Sequence, residues 1–329
     1  MAARAQVSKS AVSFVFNGRR GLSEATTDRI LRAARELGWN PSARARALSR
    51  NRLRSVGLVL RRDGIAGPAG SDLVGFLDGV GAALATTATA LVVRVAASRA
   101  DEKEIYAGFV RDSQVDGVLV SGLRTDDDRP ELLSRLGLPF VPTDHEATAE
   151  GGDMGTRDAL RHLAEAGHRR VALIGVGSLV CSERRRQAFT EQSRALGLNG
   201  RVILLAGSTP LAAAATTERL LERHVPTAIL YDTDLLAVAG MAAARRRGVA
   251  VPEDLSIVAL DDGPAALLSD PQLTAVRRDA EGCGRASARR LLVLIGGGDR
   301  PDVVIHSPEL VVRRSTGPVP WPRITERPT

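Results

Sequence analysis

Two sets of polar residues in this 329-residue chain have types and spacings suited to recognition chemistry. The first is Asp144, Arg185 and Asp234, each of which follows an apolar run of strand length. Asp144 comes after Leu138 to Thr143, Arg185 lies just past RVALIGV and its loop, and Asp234 follows TAILY at a helix start. In open parallel sheets, ligands bind beyond the carboxyl ends of the strands, which is where all three would stand. A carboxylate accepts two hydroxyl protons side by side and a guanidinium donates in a rigid fork, so the set suits the vicinal diols of a sugar or ribose. Each residue alone could equally cap a helix or form a surface ion pair. The second set is at the N-terminus. Residues 1–54 hold 12 Lys/Arg against 3 acids, the other 275 residues hold 33 against 35, and the overall net charge is +7. A small basic head on a nearly neutral body is the asymmetry of a nucleic-acid-binding module joined to something else.

Other chemistries find little support. His168 in AGHRRV reads as a helix-end feature, because no Ser or Cys nucleophile with an acid partner accompanies it. The two cysteines, Cys181 and Cys283, form no CxxC or Cys/His cluster, so neither a disulfide framework nor a zinc site is implied. The glycine stretches at 64–70 and 174–178 match neither GxGxxG nor GxxxxGK[ST] and read as loops. Asp261-Asp262 reads as a pair of carboxylates capping a turn at a strand end. No cofactor or metal is expected. With 44% hydrophobic and 25% charged residues the composition is that of a folded globular protein. There is no apolar run of membrane-spanning length and no signal-peptide pattern at MAARAQVSKS, so the expectation is a soluble, cytoplasmic protein without a membrane partner.

The elements that would position the basic head are short helices. Ser8 can cap a helix over Lys9 to Phe16, ended by Asn17-Gly18. At about 100° per residue, Ala11, Val12, Val15 and Phe16 fall on one side, with Lys9, Ser10, Ser13 and Phe14 opposite. A second helix follows from Ser23, with Ile30, Ala34 and Leu37 inward and Gly38 as its stop. Before Ser8 the chain can make barely one turn. Helix, tight turn and capped helix within a basic segment describe a helix-turn-helix. On that reading Lys9, Ser10 and Phe14 reach base edges, while Ser8, Ser13 and Arg19 are placed for phosphates. Phe14 would make an apolar contact with a thymine methyl or a sugar, or else be buried against a turn. After Pro41 comes PSARARALSRNRLR, with five arginines in 14 residues. Beside DNA these neutralise phosphates and release counterions. Small alanines such as Ala45 let two such segments approach, and Leu48 is the large apolar side chain available to wedge into a minor-groove step. A plain flexible linker is the alternative.

From Ser55 the pattern changes. SVGLVL, ALVVRV, DGVLVS, RVALIGV, TAILY and LSIVAL read as strands, alternating with helical stretches such as 72–85, 153–166, 234–248 and 280–295. Continuous apolar runs suit parallel strands buried on both faces, so the body is a βαβ chain.

Residues 2–57 resemble the DNA-binding headpiece and hinge of the LacI family of bacterial transcription regulators, through VSKSAVSFVFNG, then LSEATTDRILRAARELGWNPSARARAL, then SVGLVL. The resemblance continues through DMGTRDALRHLAEAGHRRVALIG, ERRRQAF, PTAILYDTDLLAVAG, VPEDLSIVALDD and LTAVRRD, which are similar to the family's effector-binding core. It implies an α/β fold class: a small all-α helix-turn-helix headpiece and a two-lobed, parallel-sheet core like that of periplasmic sugar-binding proteins. The implied domains are a headpiece at 1–40, a hinge at 41–54, a core at 55–317 and a disordered tail at 318–329. Lobe 1 would take 55–146 and 276–308, and lobe 2 147–275 and 309–317. By the same resemblance Arg61, Asp144, Arg185 and Asp234 match effector contacts, with Arg61 facing the cleft from the first strand.

Three departures accompany it. Gln6 stands at the usual turn glycine, Phe14 stands where arginine is common, and the first helix normally starts several residues earlier, which implies a native start upstream of Met1. Candidate positions for a stacking aromatic hold Thr209 and Ala280. The reading is therefore a homodimeric regulator, expected to be a repressor, that binds a pseudo-palindromic operator in double-stranded DNA under the control of a sugar or nucleoside effector. One alternative is a DNA-binding regulator whose core only dimerises, and a more distant one is a sugar- or nucleotide-acting α/β enzyme.

Overall fold

The computed structural model describes residues 2–8, 11–12, 15, 22–36, 54–61, 72–143, 153–177, 179–205, 207, 209–223, 226–296 and 305–319. At the N-terminus, helix α1 (Ala2–Ala5) is a single turn. Gln6 follows with φ +52°, in the left-handed region that favours glycine. Residues 11, 12 and 15 are helical, and Ser8 caps that helix, its Oγ accepting the Ala11 N–H at 3.1 Å. Helix α2 (Glu24–Glu36) starts at the expected cap, where Ser23 Oγ accepts the Thr26 N–H at 3.3 Å. The helices bury Ala5, Ile30 and Ala33, with Val7, Ala11, Val12, Val15 and Leu22 packed against them. Ala11, Val12 and Val15 thus face inward as their spacing predicts. On α2, Ile30 is buried as its spacing predicts and Ala33 is buried beside it, while the Ala34 side chain and Leu37 lie outside the described residues.

The body contains two sheets. The first has the order β2-β1-β3-β4, all parallel, from β1 (Ser55–Arg61), β2 (Ala90–Ala96), β3 (Gly117–Val120) and β4 (Phe140–Pro142). Between its strands run α3 (Leu73–Ala85), α4 (Arg99–Arg111) and α5 (Arg129–Arg135). After α6 (Met154–Glu165) the second sheet begins with β5 (Arg170–Val176), α7 (Val180–Ala195), β6 (Asn199–Leu205), α8 (Pro210–Arg223) and β7 (Ala228–Tyr231). It continues through α9 (Asp234–Arg246), β8 (Ser256–Ala259), α10 (Pro264–Leu268) and β9 (Thr274–Arg277). Helix α11 (Ala280–Gly296) then returns to the first sheet and packs on α3 and β3, and β10 (Glu309–Val311) returns to the second. The second sheet has the order β10-β9-β8-β7-β5-β6 and is parallel except for β10, which pairs antiparallel with β9.

The apolar runs are continuous because each strand feeds two cores. On β5, Val171 and Leu173 pack with Leu160, Leu163 and Phe189 of α6 and α7, while Ala172 and Ile174 pack with Leu236 and Met241 of α9 on the other face. On β1, Val56 and Leu58 face α3 and α11, and Val59 faces Tyr106 and Phe109 of α4. All six expected strands are present. Strands β4, β6, β9 and β10 were not among the six: NGRVILL mixes polar residues into an edge strand, and the other three have only three or four residues each.

The first lobe is closed by a close helix crossing. A Cβ at Gly79 of α3 would lie 1.9 Å from the Glu281 carbonyl oxygen of α11, and one at Gly284 would lie 2.0 Å from the Phe76 carbonyl oxygen. The tail expectation is corrected at its first residues, since the Val319 N–H donates to the Ala166 carbonyl at 2.9 Å, and residues 320–329 lie outside the described residues.

Two variants test this packing by denaturant unfolding. Helix propensity alone makes Gly→Ala favourable by about 1 kcal/mol, yet Gly284→Ala should destabilise by about 1–3 kcal/mol, because the methyl group meets backbone. A stabilised variant would show that the crossing is loose. Gln6→Gly should stabilise the headpiece by about 1 kcal/mol, relieving a left-handed non-glycine residue.

Candidate functional site

The carboxyl ends of the second sheet gather a buried ionic cluster. Asp232 directly follows β7, Asp261 comes two residues after β8, Arg278 directly follows β9, Asp153 is the N-cap of α6, and Arg185 lies on the second turn of α7. Arg185 is 5% exposed, and its guanidinium is shared among the loops. Nη2 donates to Asp261 Oδ1 at 2.8 Å, Nη1 donates to the Asp232 carbonyl at 2.7 Å, and Nε lies 3.6 Å from Asp153 Oδ2. Arg278 closes the ring, donating from Nη2 to Asp153 Oδ2 at 3.1 Å and from Nε to the Leu260 carbonyl at 3.3 Å. Asp232 is fixed from behind: its Oδ2 accepts the Val176 N–H and the Ser182 hydroxyl, both at 2.7 Å.

Burial and neighbouring charge split the carboxylates. Burial raises Asp261 to about 6, although Arg185 and Arg278 pull it down and Asp232 pushes it further up. Burial would also raise Asp153, but Arg278 and Arg185 more than offset it and hold that carboxyl below the ordinary range. Burial would lower Arg185, yet Asp261 and then Asp232 keep it far above its usual value. Asp261 Oδ2 and Asp232 Oδ1 are buried and accept no hydrogen bond from the described residues. Acceptors without donors, beside a guanidinium fork, match a ligand that brings hydroxyl groups.

Arg185 and Asp234 occupy the two ends of this region but do different work. Asp234 is 1% exposed, and its oxygens accept the Leu235 N–H at 2.8 Å and the Ala265 N–H at 3.1 Å, tying the start of α9 to α10. Burial raises its carboxyl in spite of these bonds. Arg61 ends β1 in the first lobe and is partly exposed. Asp144 lies outside the described residues, as do Lys9, Ser10, Ser13, Phe14, Arg19, Ala45 and Leu48 of the DNA-facing set. Ser8, the described member of that set, is a helix cap.

The turn-cap reading of Asp261-Asp262 is corrected. Asp261 pairs with Arg185, while Asp262 Oδ2 accepts from Arg313 at 2.8 Å and from Arg277 at 3.1 Å, because buried carboxylates draw arginines from other segments. Asp153, Asp232, Asp261 and Arg278 were all missed. The strand-end rule that found Arg185 points equally to Asp261 and Arg278 when applied to β8 and β9. His168 is two residues past the helix-end turn of α6, and its ring joins Thr227 Oγ1 at 2.9 Å to the Gly317 carbonyl at 3.1 Å, a staple between segments. Among the described residues no cluster of three or more His, Cys, Asp or Glu could hold a metal ion, and no helix is long and apolar enough to cross a membrane.

A capped helical head ahead of two parallel α/β lobes, with a polar cluster at the strand ends of one, defines a class: a sensor core carrying a helix-turn-helix module. Residues 160–316 match the periplasmic binding protein-like domain, and residues 1–42 match the lacI family of bacterial regulatory proteins. The chain is 32% identical to the HTH-type transcriptional regulator CelR of Thermobifida fusca, with 96% of each covered. It is 27% identical to the HTH-type transcriptional repressor CytR of Escherichia coli (strain K12), over 97% of this chain and 96% of that one. The solved transcriptional regulator CelR–cellobiose complex superposes with a TM-score of 0.69 at 29% identity, covering 95% of this chain and 98% of that one. The chain belongs to the lacI family of bacterial regulatory proteins, and is a DNA-binding transcriptional regulator of the helix-turn-helix type.

Replacing Arg185 with Met removes one of the two buried cations that the three carboxylates share and should cost about 3–5 kcal/mol in urea unfolding. A loss below 1 kcal/mol would mean that water reaches the cluster. Asp261 should be visible in the pH dependence. Its raised value means the folded chain holds a proton that the unfolded chain releases, so its contribution is full below about 3.8 and is lost as pH rises through about 6. Asp261→Asn lacks this dependence. The stability of wild type relative to the variant should therefore fall between pH 4 and 7, and a constant difference would refute the raised value.

Proposed function

We propose that this regulator is a cytoplasmic, homodimeric repressor whose grip on a pseudo-palindromic operator is set by a small polyhydroxyl effector, a sugar or nucleoside, held between the two lobes of its core. The observation that carries the effector assignment is the Arg185–Asp261 pair at the strand ends, with acceptor oxygens of Asp261 and Asp232 that receive no donor from the described residues. CelR, similar over nearly the whole chain, has been solved with cellobiose, which supports a sugar. CytR, a similar protein named as a repressor, supports the sign. No reaction is assigned to the cluster.

In this reading Lys9, Ser10 and Phe14 meet base edges, Ser8, Ser13 and Arg19 meet phosphates, and Ala45 and Leu48 belong to a hinge at 41–54 that enters the minor groove. The effector would lie among Arg185, Asp234, Asp144 and Arg61, in a core spanning 55–317. A second copy of the chain would cover apolar side chains that the fold leaves out: Val74 at 72% exposure on α3, Val93 and Val95 on the edge strand β2, and Leu268 at 85% on α10. Control is linkage. An effector that favours one arrangement of the lobes changes the spacing of the two hinges and hence DNA affinity, and DNA must change effector affinity by the same factor.

The test is binding of the full chain to duplex DNA from its own promoter region at several salt concentrations, with cellobiose, other sugars and nucleosides as additives. Going from 50 to 200 mM salt should weaken binding by about 1,000-fold or more if several phosphates are neutralised. Deleting residues 1–54 should abolish binding. A ligand at about 100 times its dissociation constant should add about 2.7 kcal/mol of stability in a thermal-shift assay. If no sugar or nucleoside shifts the transition while DNA binding persists, the core that only dimerises becomes the better reading.

A further inference from the structure

The two lobes touch through backbone. Leu123, in the loop after β3 of the first lobe, offers its carbonyl to the Val180 N–H of the second lobe at 2.9 Å, and Arg124 forms an isolated antiparallel bridge with Leu179. Val180 is the first residue of α7, the helix that carries Arg185. The N-cap of α7 is Leu179, which has no side-chain acceptor and makes no side-chain cap bond. A helix start leaves N–H groups unsatisfied unless something caps them. Here the cap for Val180 comes from the other lobe.

The loop that supplies this carbonyl is held with unusual thoroughness. Arg129, 3% exposed, donates from Nη1 to the Ser121 carbonyl at 3.0 Å and from Nη2 to the Gly122 carbonyl at 2.8 Å. The same guanidinium pairs with Glu102 at 2.7 Å and Asp127 at 2.6 Å, and Tyr106 Oη donates to Glu102 Oε1 at 3.0 Å. Asp127 reaches forward to accept the Arg124 N–H at 3.0 Å. Burial alone would raise Asp127, but hydrogen bonds from Arg129 and from backbone N–H groups bring it down to about 2. The loop is therefore fastened to lobe 1 on both sides of Leu123, and its carbonyl projects to lobe 2 as a fixed group.

We propose that residues 121–129 are a built-in latch between the lobes, which caps α7 in trans so that lobe closure and the placement of Arg185 are a single event. This deepens the effector reading above and rests on it for its regulatory meaning. Opening the cleft removes the cap from α7 and loosens the first turns that aim Arg185 at Asp261 and Asp232. A ligand that engages Arg185 in the closed geometry holds the latch shut, and the latch holds the site ready for the ligand.

Val180→Pro in the full chain removes that donor N–H while suiting the first helical position, where proline is tolerated. Small-angle X-ray scattering should then show a larger radius of gyration than wild type, and an identical scattering profile would overturn the latch. Asp127→Asn loosens the loop from the other lobe and leaves α7 chemically intact. Amide hydrogen exchange at residues 180–183 should accelerate at least threefold in that variant, with the rest of lobe 2 unchanged, and unaltered exchange there would overturn the proposal. Cellobiose titration by calorimetry separates the two ideas. If wild type binds, Val180→Pro should weaken binding at least threefold, and equal affinity would count against the coupling. If wild type binds no sugar, the sugar reading fails, while scattering and exchange still judge the latch on their own.

Discussion

Arg185 is a permanent cation taken out of water, and much of lobe 2 is arranged around that fact. An ion moved from water into a protein interior loses several kcal/mol of solvation that geometry must return. The return comes from three separate stretches of chain: the N-cap of α6, the loop after β7 and the loop after β8. Those stretches are brought together by parallel pairing of β5 with β7, β7 with β8 and β8 with β9. Because parallel strands point the same way, all their carboxyl ends deliver polar residues to one edge. The sheet is what allows one guanidinium to reach Asp153, Asp232 and Asp261 at once.

Lobe 1 solves the same problem with Arg129. That guanidinium also sits at the carboxyl edge of a parallel sheet, and it too is matched by carboxylates and backbone carbonyls from neighbouring loops. Each lobe thus has a stiff ionic knot at the edge facing its partner. Stiffness there matters because a hydrogen bond between lobes transmits position only if both ends are held. The Leu123–Val180 bond joins two such held ends.

The fold was legible in the sequence where burial on both faces writes a continuous apolar run, as in RVALIGV and TAILY. It was less legible at β6, where Asn199 and Arg201 interrupt the run on an edge strand, and at β10, where three residues carry too little pattern. Arg185 could be found because it follows a recognisable strand. Its partners could not be assigned, since pairing among residues 153, 232, 261 and 278 depends on strand order, which spacing along the chain does not state. Asp234 shows the converse: the right place by the strand-end rule, with its oxygens turned to backbone N–H groups. The trans cap on α7 left only a negative trace, a helix start with Leu at its N-cap.

The headpiece and the cleft are joined by one strand. β1 begins at Ser55, where the basic segment ends, and finishes at Arg61, a span of about 20 Å at roughly 3.3 Å per residue. Its first residues are clamped: the Ala90 N–H donates to the Arg54 carbonyl at 3.0 Å, the Asp116 N–H to the Ser55 carbonyl at 2.8 Å, and the Ser55 N–H to Asp116 Oδ2 at 2.6 Å. The strand is central in its sheet, paired on both sides, and buried along most of its length. Such an element moves as a rigid body. Any rotation of lobe 1 that the cleft induces therefore carries the exit of the hinge with it, undiminished by bending. The headpiece beyond bears a left-handed Gln6, and its described residues bury Ala5, Ile30 and Ala33 with partly buried neighbours packed against them. A stiff strand therefore sets where the basic segment leaves lobe 1, and a rotation of the lobe needs no long pathway of side chains to reach it.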